Sequence, residues 1–463
     1  MKMAPPPVPI EYQLIGLTED GNAGDLLLGL DQKQGRVRLQ ALISEWLRME
    51  NLVVLTGSGT SVSAGGKTMA NLETAVFETI EALPDVPASI GPIIKARRDA
   101  VWLANFIDEP TLGFEAWLSF VANALVIGQS KDAPFSGVTW PSTPAPSFDD
   151  LQWFVNHLRM SIFAECALSL PDKAMAKSTR ETPPQLAFLS KLVARDSNLG
   201  RTHLFTLNYD TLFEQALELL GIQYFDGFTG RAAARFDPSV YGLDVYYPGE
   251  VAEGRVRRFD KFLHFYKLHG SIHWFEQDGE MRARHPDLAP FRAYVDLKPE
   301  EKAAALVDLA EGTASIGILP TANKFTQTLT MPYAHLFRSF QVRLGIPQTF
   351  LLVLGYGFGD DHVSRIIESA LMNPSLVMLV VEPNPESPVV ERIRRYKDLG
   401  KRAFVLCPTD AAFAVATFKH ATFDDFARSA MPDVQWLDDF LRLRRFEKQI
   451  ASSAMPAEPD TGA

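Results

Sequence analysis

Leu52-Val53-Val54-Leu55-Thr56-Gly57-Ser58-Gly59-Thr60-Ser61 is the stretch that decides the fold. Its apolar start has no polar alternation, which marks a strand buried on both faces, as in parallel sheets covered by helices. A glycine-rich turn follows at once. Glycine admits backbone angles closed to other residues and lets the chain approach a ligand closely. Backbone N–H groups there, at the start of a following helix, suit a pyrophosphate. Ser58, Thr60 and Ser61 add hydroxyl donors. The turn is not G-x-G-x-x-G. Nor is it a P-loop, which with Lys67 as its lysine needs glycine at position 61, where serine stands. A tight turn that binds nothing is the alternative.

Short apolar runs recur at 203–207, 265–268, 315–319, 349–354, 376–381 and 402–407. Helical patterns lie between several of them, so the fold class is α/β, a Rossmann-like parallel sheet with helices on both faces. A helix is expected over 37–49. Residues 72–170 are mainly helical in pattern, with a Pro/Ser-rich loop at 134–147; they are a helical insertion or a separate helical domain. Asp210 opens a helix that Gly221 closes. The expected organisation is a loose lead-in over 1–35, a catalytic domain over 36–415 with its insertion at about 72–170, C-terminal helices over 416–450 and a disordered tail over 451–463.

Composition narrows the function. The chain has 463 residues, 46% hydrophobic and 22% charged, ordinary for a globular protein. A net charge of −11 disfavours direct nucleic-acid binding as the main task. The two cysteines, Cys166 and Cys407, stand far apart, which excludes a four-cysteine zinc module or a disulfide framework and fits a reducing cytoplasm. No run is long and apolar enough for a membrane helix, and the Pro-rich start, 1–9, has no apolar signal core.

Three further fragments follow predicted strands. Phe205-Thr206-Leu207-Asn208-Tyr209-Asp210 puts an amide and a carboxylate at a strand's C-terminal end, where open α/β sheets bind ligands. Lys267-Leu268-His269-Gly270-Ser271 puts an imidazole beside a glycine. Gly355-Tyr356-Gly357-Phe358-Gly359-Asp360-Asp361-His362 is a second glycine turn, whose aspartates suit a helix start better than a metal site for His362. Structural duties compete at each: Asp210 as a helix cap, Asn208 as a turn residue, His269 as a satisfied buried histidine.

In this order the fragments resemble the sirtuin family. Gly57 to Ser61, continuing to Gly65, resembles its GAGxSxxSG turn; Leu207 to Asp210 its QNxD motif; Leu268 to Gly270 its LHG motif. Gly355, Tyr356 and Gly357 resemble the turn on the ribose and adenine side, and Val381-Glu382-Pro383-Asn384 the strand end that holds adenosine. The segment Ile318-Leu319-Pro320-Thr321 with Asn323-Lys324 is similar to sirtuin-like NADases of bacterial antiphage defence. The chain departs from deacetylating sirtuins: it lacks the zinc cysteines, has Gly66-Lys67-Thr68-Met69 in place of Pro-Asp-Phe-Arg, carries Leu207 for the motif's glutamine, and spans a longer interval between Asn208 and His269.

The resemblance implies NAD as substrate, no zinc, and a cytoplasmic NAD hydrolase that releases nicotinamide and ADP-ribose as a defence effector. It implies Asn208 and His269 as catalytic residues, and Gly57, Ser58, Gly59, Thr60, Ser61, Asp210, Gly355, Tyr356, Gly357, Glu382 and Asn384 as NAD-binding. A homo-oligomer and a HerA-type ATPase or Argonaute-like partner belong to the same expectation. An ADP-ribosyltransferase or deacylase, and a nonenzymatic NAD or ADP-ribose sensor, are the alternatives.

Overall fold

Unbroken apolar runs fold here as the inner strands of one sheet. The computed structural model describes residues 10–17, 23–99, 113–128, 140–171, 182–196, 198–230, 234–247, 258–284, 288, 291, 294–310, 331–398, 400–415 and 419–433. In chain order the strands are β1 (Tyr12–Leu17), β2 (Ala23–Asp25), β3 (Asn51–Thr56), β4 (Thr202–Thr206), β5 (Gln223–Phe225), β6 (Phe228–Thr229), β7 (Ala234–Phe236), β8 (Phe262–Lys267), β9 (Trp274–Gln277), β10 (Glu280–Ala283), β11 (Thr349–Leu354), β12 (Val377–Val381) and β13 (Ala403–Pro408). The main sheet has nine strands in the order β2-β1-β13-β12-β11-β3-β4-β8-β5. From β13 to β5 every pairing is parallel.

Alternate residues of β3 serve opposite faces, as strand geometry requires. Leu52 and Val54 pack with Trp46, Phe265 and Leu352, while Val53 and Leu55 pack with Phe205, Phe340 and Val353. Each fully buried side chain of this kind contributes about 1.5–3 kcal/mol. A Rossmann-like α/β sheet covered on both sides is therefore the fold, as the apolar runs predict. The small sheet β6-β7-β10-β9, of short and partly polar strands, was not predicted.

The loose lead-in is corrected. β1 pairs antiparallel with β13 and with β2, closing the sheet edge. Gln13 and Gly16 break the apolar run, and the partner strand lies at the other end of the chain, so the local signal is weak. The first helix, α1 (Gln32–Leu47), also starts earlier than predicted, at a capping box made by Asp31 and Gln34.

Between β3 and β4 lie α2 (Met69–Glu81), α3 (Ile90–Arg98), α4 (Phe114–Gly128) and α5 (Phe148–Cys166). They bury a core of their own around Phe77, Trp117 and Phe154. Next come α6 (Pro184–Leu192), α7 (Leu212–Leu219), α8 (Pro299–Ala310), α9 (Tyr333–Gly345), α10 (Asp361–Ala370) and α11 (Pro388–Asp398). The expected strand at 315–319, the segment 318–324, residues 134–139 of the 134–147 loop, the helix expected beyond 433 and the tail over 451–463 lie outside the described residues. Within them, 423–430 forms one α-turn followed by a π-helical turn. No helix among the described residues is long and apolar enough to cross a membrane.

Candidate functional site

Four adjacent strands end level. Leu354 of β11 is in register with Thr56 of β3, Thr56 with Thr206 of β4, and Thr206 with Lys267 of β8. Parallel strands in register place the next residues, Gly355, Gly57, Leu207 and Leu268, along one edge. The chain leaves β3 toward β4 and later returns to β11 on the other side of β3. Such a reversal opens a crevice at the strands' carboxyl ends, where α/β sheets bind ligands. A cavity of about 470 Å³ lies there, lined by residues from all four strand ends, among them Gly57, Ser61, Asn208, Asp210, His269 and Gly355. That volume falls in the range of small-ligand clefts, about 300–1,000 Å³.

The glycines have a different first duty from the one predicted. A Cβ on Gly57 would stand 2.6 Å from the Gly355 carbonyl oxygen, and one on Gly59 2.7 Å from the Gly355 Cα. Gly355 itself has φ +62°, and its Cβ would meet the Thr60 nitrogen at 2.7 Å. The two turns interlock backbone to backbone. The N–H groups of Gly57 and Gly59 bond to the Leu354 and Gly355 carbonyls, and those of Thr60 and Ser61 close the turn on Gly57 and Ser58. No α-helix starts at this turn: two short 3-10 turns, Ser58–Thr60 and Val62–Ala64, precede α2. The expected cradle of N–H groups for a pyrophosphate is thus committed internally at those four positions.

The hydroxyls of the same turn fix the orientation of Asn208. Thr60 Oγ1 donates to the Gly57 carbonyl at 2.8 Å, and Ser61 Oγ donates to Asp210 Oδ2 at 2.6 Å. Each hydroxyl has a single proton, so both accept from Asn208 Nδ2, at 3.1 and 2.9 Å. The amide therefore cannot be reversed, and Oδ1 is the atom it offers a ligand. Gln185 of α6 anchors the turn from behind through the Thr60 carbonyl, at 2.8 Å.

Asp210 is committed at both oxygens, to Ser61 and to the Leu212 N–H at 3.1 Å. The predicted helix start is thus shared: Thr211 is the N-cap of α7, without a side-chain cap bond, and Asp210 supports the first turn from one residue earlier. Gly221, at φ +64°, closes the helix as predicted.

His269 Nε2 lies 3.0 Å from Asp360 Oδ2, and both residues line the cavity. Asp360 Oδ1 accepts from the N–H groups of His362 and Val363, capping α10. A neutral imidazole that donates Nε2–H to this carboxylate carries its basic lone pair on Nδ1. Behind these groups Lys267 donates to Glu214 at 2.7 Å and to the Asp210 carbonyl, tying the loop after β4 to β8. Burial pushes the Glu214 carboxyl up to about 7 against the pull of Lys267. Cys166 also lines the cavity; burial, with Asp210 and Glu165 adding to it, pushes its thiol up to about 12. The thiolate is therefore disfavoured at neutral pH, which argues against a nucleophilic role.

The structure therefore brings Gly57, Ser58, Ser61, Asn208, Asp210, His269, Gly355, Tyr356 and Gly357 to one cavity. Gly59 and Thr60 stand behind its wall in the interlocked turn. Glu382 and Asn384 are not among the lining residues. They close a local turn at the end of β12, where Glu382 accepts from the Asn384 N–H at 3.0 Å. Sequence reasoning missed Asp360 as the partner of His269, and it missed Glu165 and Lys67 in the cavity wall. The aspartate after the second glycine turn was read only as a helix start.

Fold and site together define a Rossmann-like α/β protein with a cavity at the sheet's switch point. Residues 202–400 match the family described as a SIR2-like domain. The match runs from β4 past α11, so it includes Asn208, His269 and the second glycine turn but not the first. A SIR2-like domain points to NAD-related chemistry. No curated protein matches the chain.

Proposed function

We propose that this protein cleaves the nicotinamide–ribose bond of NAD with water, releasing nicotinamide and ADP-ribose. The observation that carries the reading is the convergence of the Asn208 amide and the His269–Asp360 pair on one cavity, within the SIR2-like segment. The C–N bond breaks with its electron pair going to the ring nitrogen, so the cationic nicotinamide leaves neutral and positive charge develops on the ribose. Asn208 Oδ1 accepts from water or a ribose hydroxyl and orients it. His269 takes the proton as the oxygen adds to the sugar, with Asp360 holding the ring. Asp210, bonded at both oxygens, acts through its charge on the cationic ring and the developing oxocarbenium.

The resemblance to antiphage NADases extends the proposal to a cytoplasmic effector that depletes NAD. It works as a homo-oligomer, triggered by a HerA-type ATPase or Argonaute-like partner. The helices between β3 and β4, which contribute Leu72, Phe114 and Glu165 to the cavity, give such a trigger a mechanical route to the site.

The test is incubation of the purified chain with NAD, alone and with the products of neighbouring genes, with nicotinamide and ADP-ribose measured by chromatography. Stoichiometric release of both is expected, and His269→Ala and Asn208→Ala lower it at least 100-fold. ADP-ribose attached to protein would replace hydrolysis by transfer. NAD binding without turnover in every mixture would refute catalysis.

A further inference from the structure

One wall of the cavity carries a buried charge cluster that the proposed chemistry does not use. Glu165, at the end of α5, has a fully buried carboxylate. Its Oε2 lies 2.7 Å from Lys67 Nζ and its Oε1 2.6 Å from Lys302 Nζ. Lys302 comes from α8, is 6% exposed, and stands over the Tyr294 ring at 5.3 Å. Lys67 follows the first glycine turn, is 22% exposed, and lines the cavity together with Glu165.

One carboxylate between two ammonium groups leaves a surplus positive charge. Lys302 is enclosed, so the surplus is presented at Lys67. Among the described residues lining the cavity, Lys67 is the one permanent cation, whereas Glu165, Asp210 and Asp360 are carboxylates. A ligand bearing phosphates would find the turn's N–H groups at 57, 59, 60 and 61 already bonded. Ser58, which also lines the cavity, is left to offer neutral donors, so the positive charge for the ligand's anionic part comes from elsewhere in the wall. A lysine serves as a point charge for phosphate oxygens.

We propose that Lys67, braced by the buried Glu165–Lys302 pair, is an anion subsite of the cavity and takes a phosphate oxygen of a dinucleotide's diphosphate bridge. The identity of the ligand rests on the NAD reading above; the charge imbalance does not. Glu165 holds the Lys67 ammonium at the end of α5, which preorganises it and limits the entropy lost when the ligand binds.

The experiment is calorimetric binding of ADP-ribose and of adenosine, which lacks phosphates, to the unaltered chain and to Lys67→Met and Lys67→Arg. Lys67→Met is expected to weaken ADP-ribose at least about tenfold, or 1.4 kcal/mol, and to flatten the salt dependence of its affinity, with adenosine unchanged. Lys67→Arg is expected to retain most of the affinity. Glu165 keeps Lys302 in the methionine variant, so a folded protein is expected, verified by its melting temperature. Equal loss for both ligands, unchanged ADP-ribose affinity in Lys67→Met, or no binding of ADP-ribose by the unaltered chain overturns the subsite. Binding needs no turnover, so a subsite that passes while NAD stays uncleaved in every mixture would refute hydrolysis and leave the subsite standing.

Discussion

Replacing Asp360 by asparagine separates its two duties. Oδ1 caps α10 through His362 and Val363, at 2.9 and 3.3 Å, while Oδ2 holds His269 Nε2 at 3.0 Å. Asparagine and aspartate are near-equivalent N-caps, so Asp360→Asn keeps the first duty. With its Oδ1 on the backbone N–H groups, its Nδ2 faces the imidazole, and a donor replaces an acceptor. The ring relieves the donor–donor clash by moving its proton to Nδ1, which removes the lone pair proposed to take the proton. Loss of a general base costs about 10²–10⁴ in rate, or roughly 3–5 kcal/mol of barrier. Stability should change by less than about 0.5 kcal/mol. Asp360→Ala loses the cap as well, about 1 kcal/mol. The assay is nicotinamide release at saturating NAD, paired with urea unfolding of both variants. Wild-type kcat in Asp360→Asn, or activity lost only in step with stability across the two variants, would refute the assignment.

Two more outcomes follow from the same contacts. Gly355→Ala adds a Cβ 2.7 Å from the Thr60 nitrogen at φ +62° and should destabilise the fold by about 2 kcal/mol or more; an unchanged urea midpoint would contradict the interlocked turns. Burial lowers His264 to about 4, so the unfolded chain takes up its proton first, and roughly 3 kcal/mol present above pH 6.5 is lost as pH falls toward 4. Glu214, raised to about 7 by burial, acts oppositely: the folded state holds a proton that the unfolded state has released above about 4.5, so stability falls as pH rises toward 7. Urea midpoints between pH 4 and 7.5 should therefore show less acid loss in His264→Phe and more in Glu214→Gln, and parallel profiles for all three proteins would exclude both assignments.

What the chain displays locally was legible, and what depends on distant pairing was not. β11 and β12 are uninterrupted apolar runs because both faces are covered, and their limits fall at or next to those predicted. β1 is an antiparallel edge strand whose partner lies in β13, and Gln13 and Gly16 blur its pattern. The four motifs were legible as strand ends, since a polar residue after an apolar run stands out in either reading. The reason for their glycines was not: Gly59 and Gly355 exclude each other's Cβ, and Gly355 excludes one on Gly57, only because β3 and β11 are adjacent. Lys67, Glu165 and Lys302 belong to a loop and two helices far apart in sequence. No periodicity announces a carboxylate shared by two lysines.

The pairing of His269 with Asp360 follows from sheet order more than from either motif. β8 and β11 are three strand steps apart, about 14 Å at the usual spacing, with β4 and β3 between them. Side chains at the very ends of those strands could not touch. Asp360 stands beyond the glycine turn, at the head of α10, and His269 stands past the end of β8, so the two loops have the length to lean together. Their contact spans the ends of the inner strands, where Asn208 and the Thr60–Ser61 hydroxyls form a rigid bonded floor. Inner strands thus set the floor, and outer loops set the base and its orientation. A change in how β8 and β11 pack, from the α9 side or from the inserted helices, would alter the His269–Asp360 distance while the floor stayed bonded.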